Sequence, residues 1–125
     1  MAAAAEARER AYAPYSGFLV GAAVKADDGR VFTGVNVENA SYPLSVCAER
    51  TAVQRAVAEG VRRLVAVAVV ASNDEPTWPC GGCRQVLLEF GPDMTVVSQG
   101  LGGSRSERPL RELLPEAFGP GDLLR

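Results

Sequence analysis

The chain contains three cysteines and no histidine, and each cysteine falls where a helix is predicted to begin. Cys47 opens a helix read over Cys47–Glu59, with Ala48, Ala52 and Ala56 on one stripe beside Val53 and Val57; Gly60 stops it. Cys80 and Cys83 open another, in which Cys83, Val86, Leu87 and Phe90 recur at helical spacing before Gly91-Pro92. Cysteines three apart on a helix share a face, with Cβ atoms roughly 5–6 Å apart. Helix N-termini carry partial positive charge, which favours thiolate over thiol. Three thiolates fill three of the four positions that zinc offers. A structural zinc site is closed by four protein ligands, whereas a catalytic one keeps a position for water. With neither a histidine nor a fourth cysteine, this chain cannot easily close the shell. The odd cysteine count also argues against a disulfide framework.

The missing histidine limits acid–base chemistry too. No side chain here titrates near neutrality without help. The work falls to a tuned carboxylate, a cysteine, a lysine or bound water. Glu49 stands two residues after Cys47, in the first helical turn. A helix end faces its ligand end-on, so Cys47 and Glu49 can both point toward one ion. The plainer reading of a glutamate here is a charge that complements the helix dipole.

The 125 residues fit one domain, 1–125, with a single core. A helix is predicted over Ala2–Ala11, ended by Pro14. Strands are predicted over Phe18–Ala26 and Arg30–Val37, joined by an Asp28-Gly29 turn. Leu64–Ala71 reads as a central strand covered on both faces. Thr95–Ser98 reads as a short strand and Gly100–Arg108 as a turn with a weak edge strand. Pro109–Leu114 reads as a short helix followed by a tail. A hairpin followed by crossovers gives an α/β fold: a three-layer α/β/α sandwich around a mixed central sheet.

Net charge is −2, with no basic tail or stripe, which argues against a polynucleotide substrate. The run Leu64–Ala71 is shorter than the ~20 residues a spanning helix needs. Ala2–Ala5 lacks a basic leader and is followed at once by charged residues. No membrane partner and a cytoplasmic location are expected.

Cys47-Ala48-Glu49 and Pro79-Cys80-Gly81-Gly82-Cys83, separated by about a strand, match the zinc deaminase signature in its all-cysteine form. The surrounding blocks resemble the small homotetrameric zinc-dependent cytidine deaminases. These are Tyr12–Ser16, Phe18–Val24, Asn36–Ala40, Cys47–Ala52, Cys80–Gln85 and Leu113–Phe118. The chain departs from that family in a short N-terminal helix and a Gly/Ser-rich Gly100–Arg108 segment.

The resemblance implies one Zn²⁺ per chain on Cys47, Cys80 and Cys83, with Glu49 as the proton shuttle. It implies that Asn36 and Glu38 hydrogen-bond the ribose; on an extended strand the two share a face. Phe18 and Phe118 would pack against the base, and Val37 and the Ala48 backbone would complete the substrate contacts. Arg50 and Gln85 would hydrogen-bond ligand sulfurs; a guanidinium beside three thiolates offsets the charge that weakens zinc as a Lewis acid. The implied reaction is hydrolysis of cytidine or deoxycytidine to the uridine and ammonia, in pyrimidine salvage. The implied assembly is a homotetramer whose chains share active sites. Tyr42 and Trp78 are left open between lining the pocket and packing.

Three other functions compete. Blasticidin deaminases share the zinc signature and a stretch like Arg111–Pro115, but the Asn36/Glu38 pair and the Ala117-Phe118 ending are not expected of them. Polynucleotide deaminases typically carry a histidine at the Cys47 position. A zinc-stabilised binding module would need four protein ligands and would be indifferent to Glu49.

Overall fold

The computed structural model describes residues 1–124. Five strands form one sheet in the order β2-β1-β3-β4-β5. They are β1 (Gly21–Ala26), β2 (Val31–Val35), β3 (Leu64–Val70), β4 (Thr95–Gln99) and β5 (Arg105–Pro109). β1 pairs antiparallel with both β2 and β3; β3 and β4 are parallel, and β5 returns antiparallel to β4. The mixed sheet follows from the connections. The β1–β2 turn is tight, with Gly29 at φ 93°, where a side chain would be strained. The parallel β3–β4 pair needs a crossover, and α3 (Gly81–Phe90) supplies it.

α1 (Ala2–Arg8) lies on one face of the sheet, and α2 (Ala48–Ala58) and α3 cover the other. Two glycines permit the close approach. A Cβ at Gly21 would strike the α1 backbone at Ala4 and Arg8, and one at Gly34 would strike α2 at Ala48 and Ala52. The main core lies between the sheet and α2/α3 and includes Val24, Val53, Val67, Leu87 and Val96. A smaller cluster of Ala4, Ala23 and Val70 seals α1. Alternation along β1 explains the division: Ala22 and Val24 face one side, Ala23 the other. α4 (Leu110–Leu113) and α5 (Pro120–Leu124) end the described chain. Among the described residues, no helix is long and apolar enough to cross a membrane.

The element order agrees with the sequence, but several ends differ for identifiable reasons. β1 begins at Gly21, not Phe18, because side chains hold residues 18–20. Asn36 Nδ2 donates to Phe18 O (2.8 Å), and Val20 N donates to Asn36 Oδ1 (2.9 Å). Ser72 Oγ accepts from Leu19 N and donates to Leu19 O. β2 stops at Val35, so Asn36 and Glu38 do not share a face of a regular strand. α1 ends at Arg8, several residues before Pro14, in a tightened turn where Glu9 N donates to Glu6 O. The Gly/Ser-rich segment forms a hairpin turn with Gly103 at φ 97°, then a regular edge strand. The tail contains α5, which the sequence reading did not anticipate.

Candidate active site

Cys47 and Cys80 are the N-cap residues of α2 and α3. Ser, Thr, Asp or Asn is the usual choice there, because its oxygen satisfies an orphan N–H. Neither cysteine makes a side-chain capping bond. Their sulfurs gather with that of Cys83, which is fully buried in the first turn of α3. Cys47 Sγ lies 3.9 Å from Cys80 Sγ, and Cys80 Sγ lies 3.4 Å from Cys83 Sγ. All three sulfurs fall within 4.8 Å of one another. A tetrahedral zinc with Zn–S bonds of about 2.3 Å puts its sulfurs about 3.8 Å apart. The three residues therefore fit zinc with no rearrangement of the helices.

Without metal, the trio holds its charge unevenly. The neighbouring Cys83 thiol, and Arg50 beside Cys47, pull the Cys47 thiol down to about 5. The same closeness to Cys47, together with burial, pushes the Cys83 thiol up. Arg50 Nη2 lies 3.8 Å from Cys47 Sγ and 3.4 Å from Ser45 O. Its Nε is buried and has no hydrogen-bond partner among the described residues. A buried guanidinium donor left open needs an acceptor nearby.

Glu49 follows in the first turn of α2 and is only 5% exposed. Burial pushes its carboxyl up to about 7, and the Cys47 charge adds to the effect. The residue can thus both accept and release a proton near neutral pH. Glu49, Cys47 and Cys80 line one cavity of about 230 Å³, together with Phe18, Asn36 and Ala48. Val20, Val69 and Ala71 supply aliphatic wall, and Thr77 and Trp78 close the side nearest Cys80. Trp78 thus lines the pocket, whereas Tyr42 lies two-thirds exposed on a short 3₁₀ turn (Tyr42–Leu44) and does not. Thr77 was not singled out from the sequence. Its nearness to Cys80 was the available signal.

The remaining predicted residues lie apart. Glu38 is exposed and accepts from the N–H groups of Tyr15 and Ser16 and from the Ser16 hydroxyl. Those bonds hold its carboxyl below the usual range. Val37 N donates to Val46 O, and the residue bridges Tyr12 and Val46 outside the pocket. Gln85 Nε2 donates to Phe118 O (2.6 Å), not to a thiolate. Arg84, beside it, donates to Pro79 O (2.6 Å) and to Leu113 O (2.7 Å). These two side chains staple the C-terminal arm to the helix that starts at Cys80. Phe118 is 58% exposed and lies outside the pocket of its own chain.

Residues 1–99 match the family model described as the cytidine and deoxycytidylate deaminase zinc-binding region. The chain belongs to this deaminase family. It is 53% identical to a cytidine deaminase of Halalkalibacterium halodurans, over 96% of this chain and 92% of that one. It is 48% identical to a cytidine deaminase of Mycobacterium tuberculosis, over 98% and 89% of the two chains. A crystal structure of cytidine deaminase from Burkholderia pseudomallei superposes with a TM-score of 0.90 at 52% identity, covering 94% of each chain. The α/β fold and the zinc-binding cysteine cluster are thus those of the deaminase family.

Proposed function

We propose that this chain is a single catalytic domain that hydrolyses cytidine and deoxycytidine to uridine and deoxyuridine, releasing ammonia. The observation that carries the reading is Glu49, a carboxyl only 5% exposed that lines the same cavity as Cys47 and Cys80 of the three-cysteine cluster. Zinc held by these cysteines would supply the Lewis acidity that makes water a nucleophile near neutral pH. Glu49 takes the proton from the attacking water and delivers it to N3 of the base. The water oxygen bonds to C4. Glu49 then passes the second proton to the exocyclic amine, the C4–N bond breaks and ammonia leaves. Arg50 offsets the negative charge of the sulfurs. Phe18 and the Ala48 backbone bound the base, and Asn36 lies on the ribose side of the pocket wall; Glu38, outside the wall, would reach the ribose only from beyond it, and Val37 takes no part.

The protein acts on free nucleosides in the cytoplasm, in pyrimidine salvage, and not on nucleic acid. It works as a homotetramer, and Phe118 reaches the pocket of a neighbouring chain. Phe118 supports that reading by its exposure, on an arm that Arg84 and Gln85 tie to α3. An ammonia-release assay on cytidine, deoxycytidine, cytosine and single-stranded DNA tests the substrate. The two nucleosides should turn over and the others should be poor; efficient use of cytosine or DNA would overturn the reading. Light scattering should give about four times the 13.2 kDa chain mass. Phe118→Ala and Glu49→Gln proteins, each weakly active, should regain activity when mixed and reassembled. No recovery despite proven subunit exchange would place Phe118 in its own chain's site.

A further inference from the structure

Trp78 stands between two cavities. On one side is the pocket of Cys47, Glu49 and Cys80. On the other is an open cleft of about 380 Å³ lined by Glu75, Ser104, Arg105, Ser106 and Arg108. The mechanism above uses neither the indole nor that cleft.

Two distant strands fix the loop that carries the indole. Ser98 on β4, fully buried, donates from Oγ to Thr77 O at 2.7 Å. Arg108 on β5 sets its guanidinium carbon 5.8 Å from the centre of the Trp78 ring, within reach of a cation–π contact. The ring also packs against the main core. Trp78 lines the same cavity as Cys47, Glu49 and Cys80. The neighbouring walls at Val20, Val69 and Ala71 are short aliphatic side chains. Trp78 is the bulkiest residue that lines the cavity.

We propose that Trp78 is a specificity-determining residue, the wall that limits the size of the pyrimidine the pocket accepts. Arg108 is its positioning residue, holding the indole from the edge strand. The inference rests on reading the cavity as the nucleoside pocket. Removing the indole joins the pocket to the outer cleft, so a ring substituent beside the reacting carbon finds room. Cytidine, in contrast, loses an aromatic contact.

The test compares cytidine with 5-iodocytidine in zinc-loaded protein. Both release ammonia, and their intrinsic difference in reactivity cancels when variants are compared. Trp78→Ala should raise the 5-iodocytidine to cytidine ratio of kcat/KM by about tenfold or more, the scale on which an apolar pocket discriminates size. Trp78→Phe should raise it less. Arg108→Ala should shift it in the same direction, and Arg108→Lys should restore it. Trp78 is the sole tryptophan, so its emission reports the wall directly. Saturating uridine should change wild-type emission, and Arg108→Ala should change the emission of the unliganded protein. An unmoved ratio in zinc-loaded Trp78→Ala would overturn the inference. If that variant does not fold, an unmoved ratio in Trp78→Phe and Arg108→Ala, with no response of emission to uridine, would overturn it. Wild-type protein inactive on cytidine defeats the deaminase reading; active protein with an unmoved ratio defeats only the role of Trp78.

Discussion

The inner end of the pocket and its rim are built on opposite terms. At the inner end, Glu49 is buried and its carboxyl is pushed up to about 7. Cys47 and Cys80 sit at N-caps without capping, and Arg50 Nε is buried with no partner among the described residues. At the rim, Glu38 is exposed, accepts from the Tyr15–Ser16 turn and is held below the usual carboxylate range. Asn36 commits its amide oxygen and nitrogen to Val20 and Phe18. The inner groups forgo local stabilisation and keep their chemistry open. Asn36 and Glu38 instead spend their polar atoms on the neighbouring backbone.

The largest expected effect breaks the inner end outright. Cys80→Ala should lose zinc and all measurable turnover, with a lower unfolding temperature, because metal-binding energy is also folding energy. Metal analysis beside calorimetry measures both. One zinc per chain retained in the variant would remove Cys80 from the ligand set.

Next comes Glu49→Gln, which should keep zinc and fold while turnover falls by about 10²–10⁴-fold. The same variant probes burial in metal-free protein. Because the folded carboxyl titrates near 7, above its ordinary 4.5, its stabilising contribution is fully present below pH 4.5. That contribution is lost as pH rises through about 7. Denaturant titrations across this range should show metal-free wild type weakening relative to Glu49→Gln. Parallel curves would mean that Glu49 is not buried in a poorly solvating site.

Local chemistry was legible in the sequence. The starts of α2 and α3, the Asp28-Gly29 turn and the apolar β3 follow from periodicity and turn residues within a few positions. These features placed Cys47, Glu49, Cys80 and Cys83 at two helix starts; the ligand needs of zinc and the deaminase signature joined the two ends into one site. Strand ends were not legible. Phe18–Val20 and Asn36 have the composition of strand, but a side chain 18 residues from Phe18 replaces the ladder there. Trp78 could not be assigned because Ser98 and Arg108, which fix its loop, lie far along the chain. The outward arm of Phe118 likewise depends on Gln85, 33 residues away.

The smallest expected effect decides what the rim glutamate does. Glu38 has two possible duties, anchoring the Tyr15–Ser16 turn and meeting the ribose. Its folded pKa is lowered chiefly by the Ser16 hydroxyl. A lowered carboxyl contributes stability above its ordinary 4.5 and loses it as pH falls through the folded value. Glu38→Gln should therefore be slightly less stable than wild type at neutral pH, and the gap should close in acid. Ser16→Ala removes the hydroxyl from the same bond and also the acceptor of Phe18 N. If Glu38 only anchors the turn, the two variants should alter stability and cytidine turnover alike. If it also receives the ribose, Glu38→Gln should raise KM for cytidine well beyond Ser16→Ala, because a buried ribose hydroxyl then loses a charged acceptor, whereas Ser16→Ala leaves the carboxylate in place. Equal KM values in the two variants would confine Glu38 to the turn and leave Asn36 as the ribose partner.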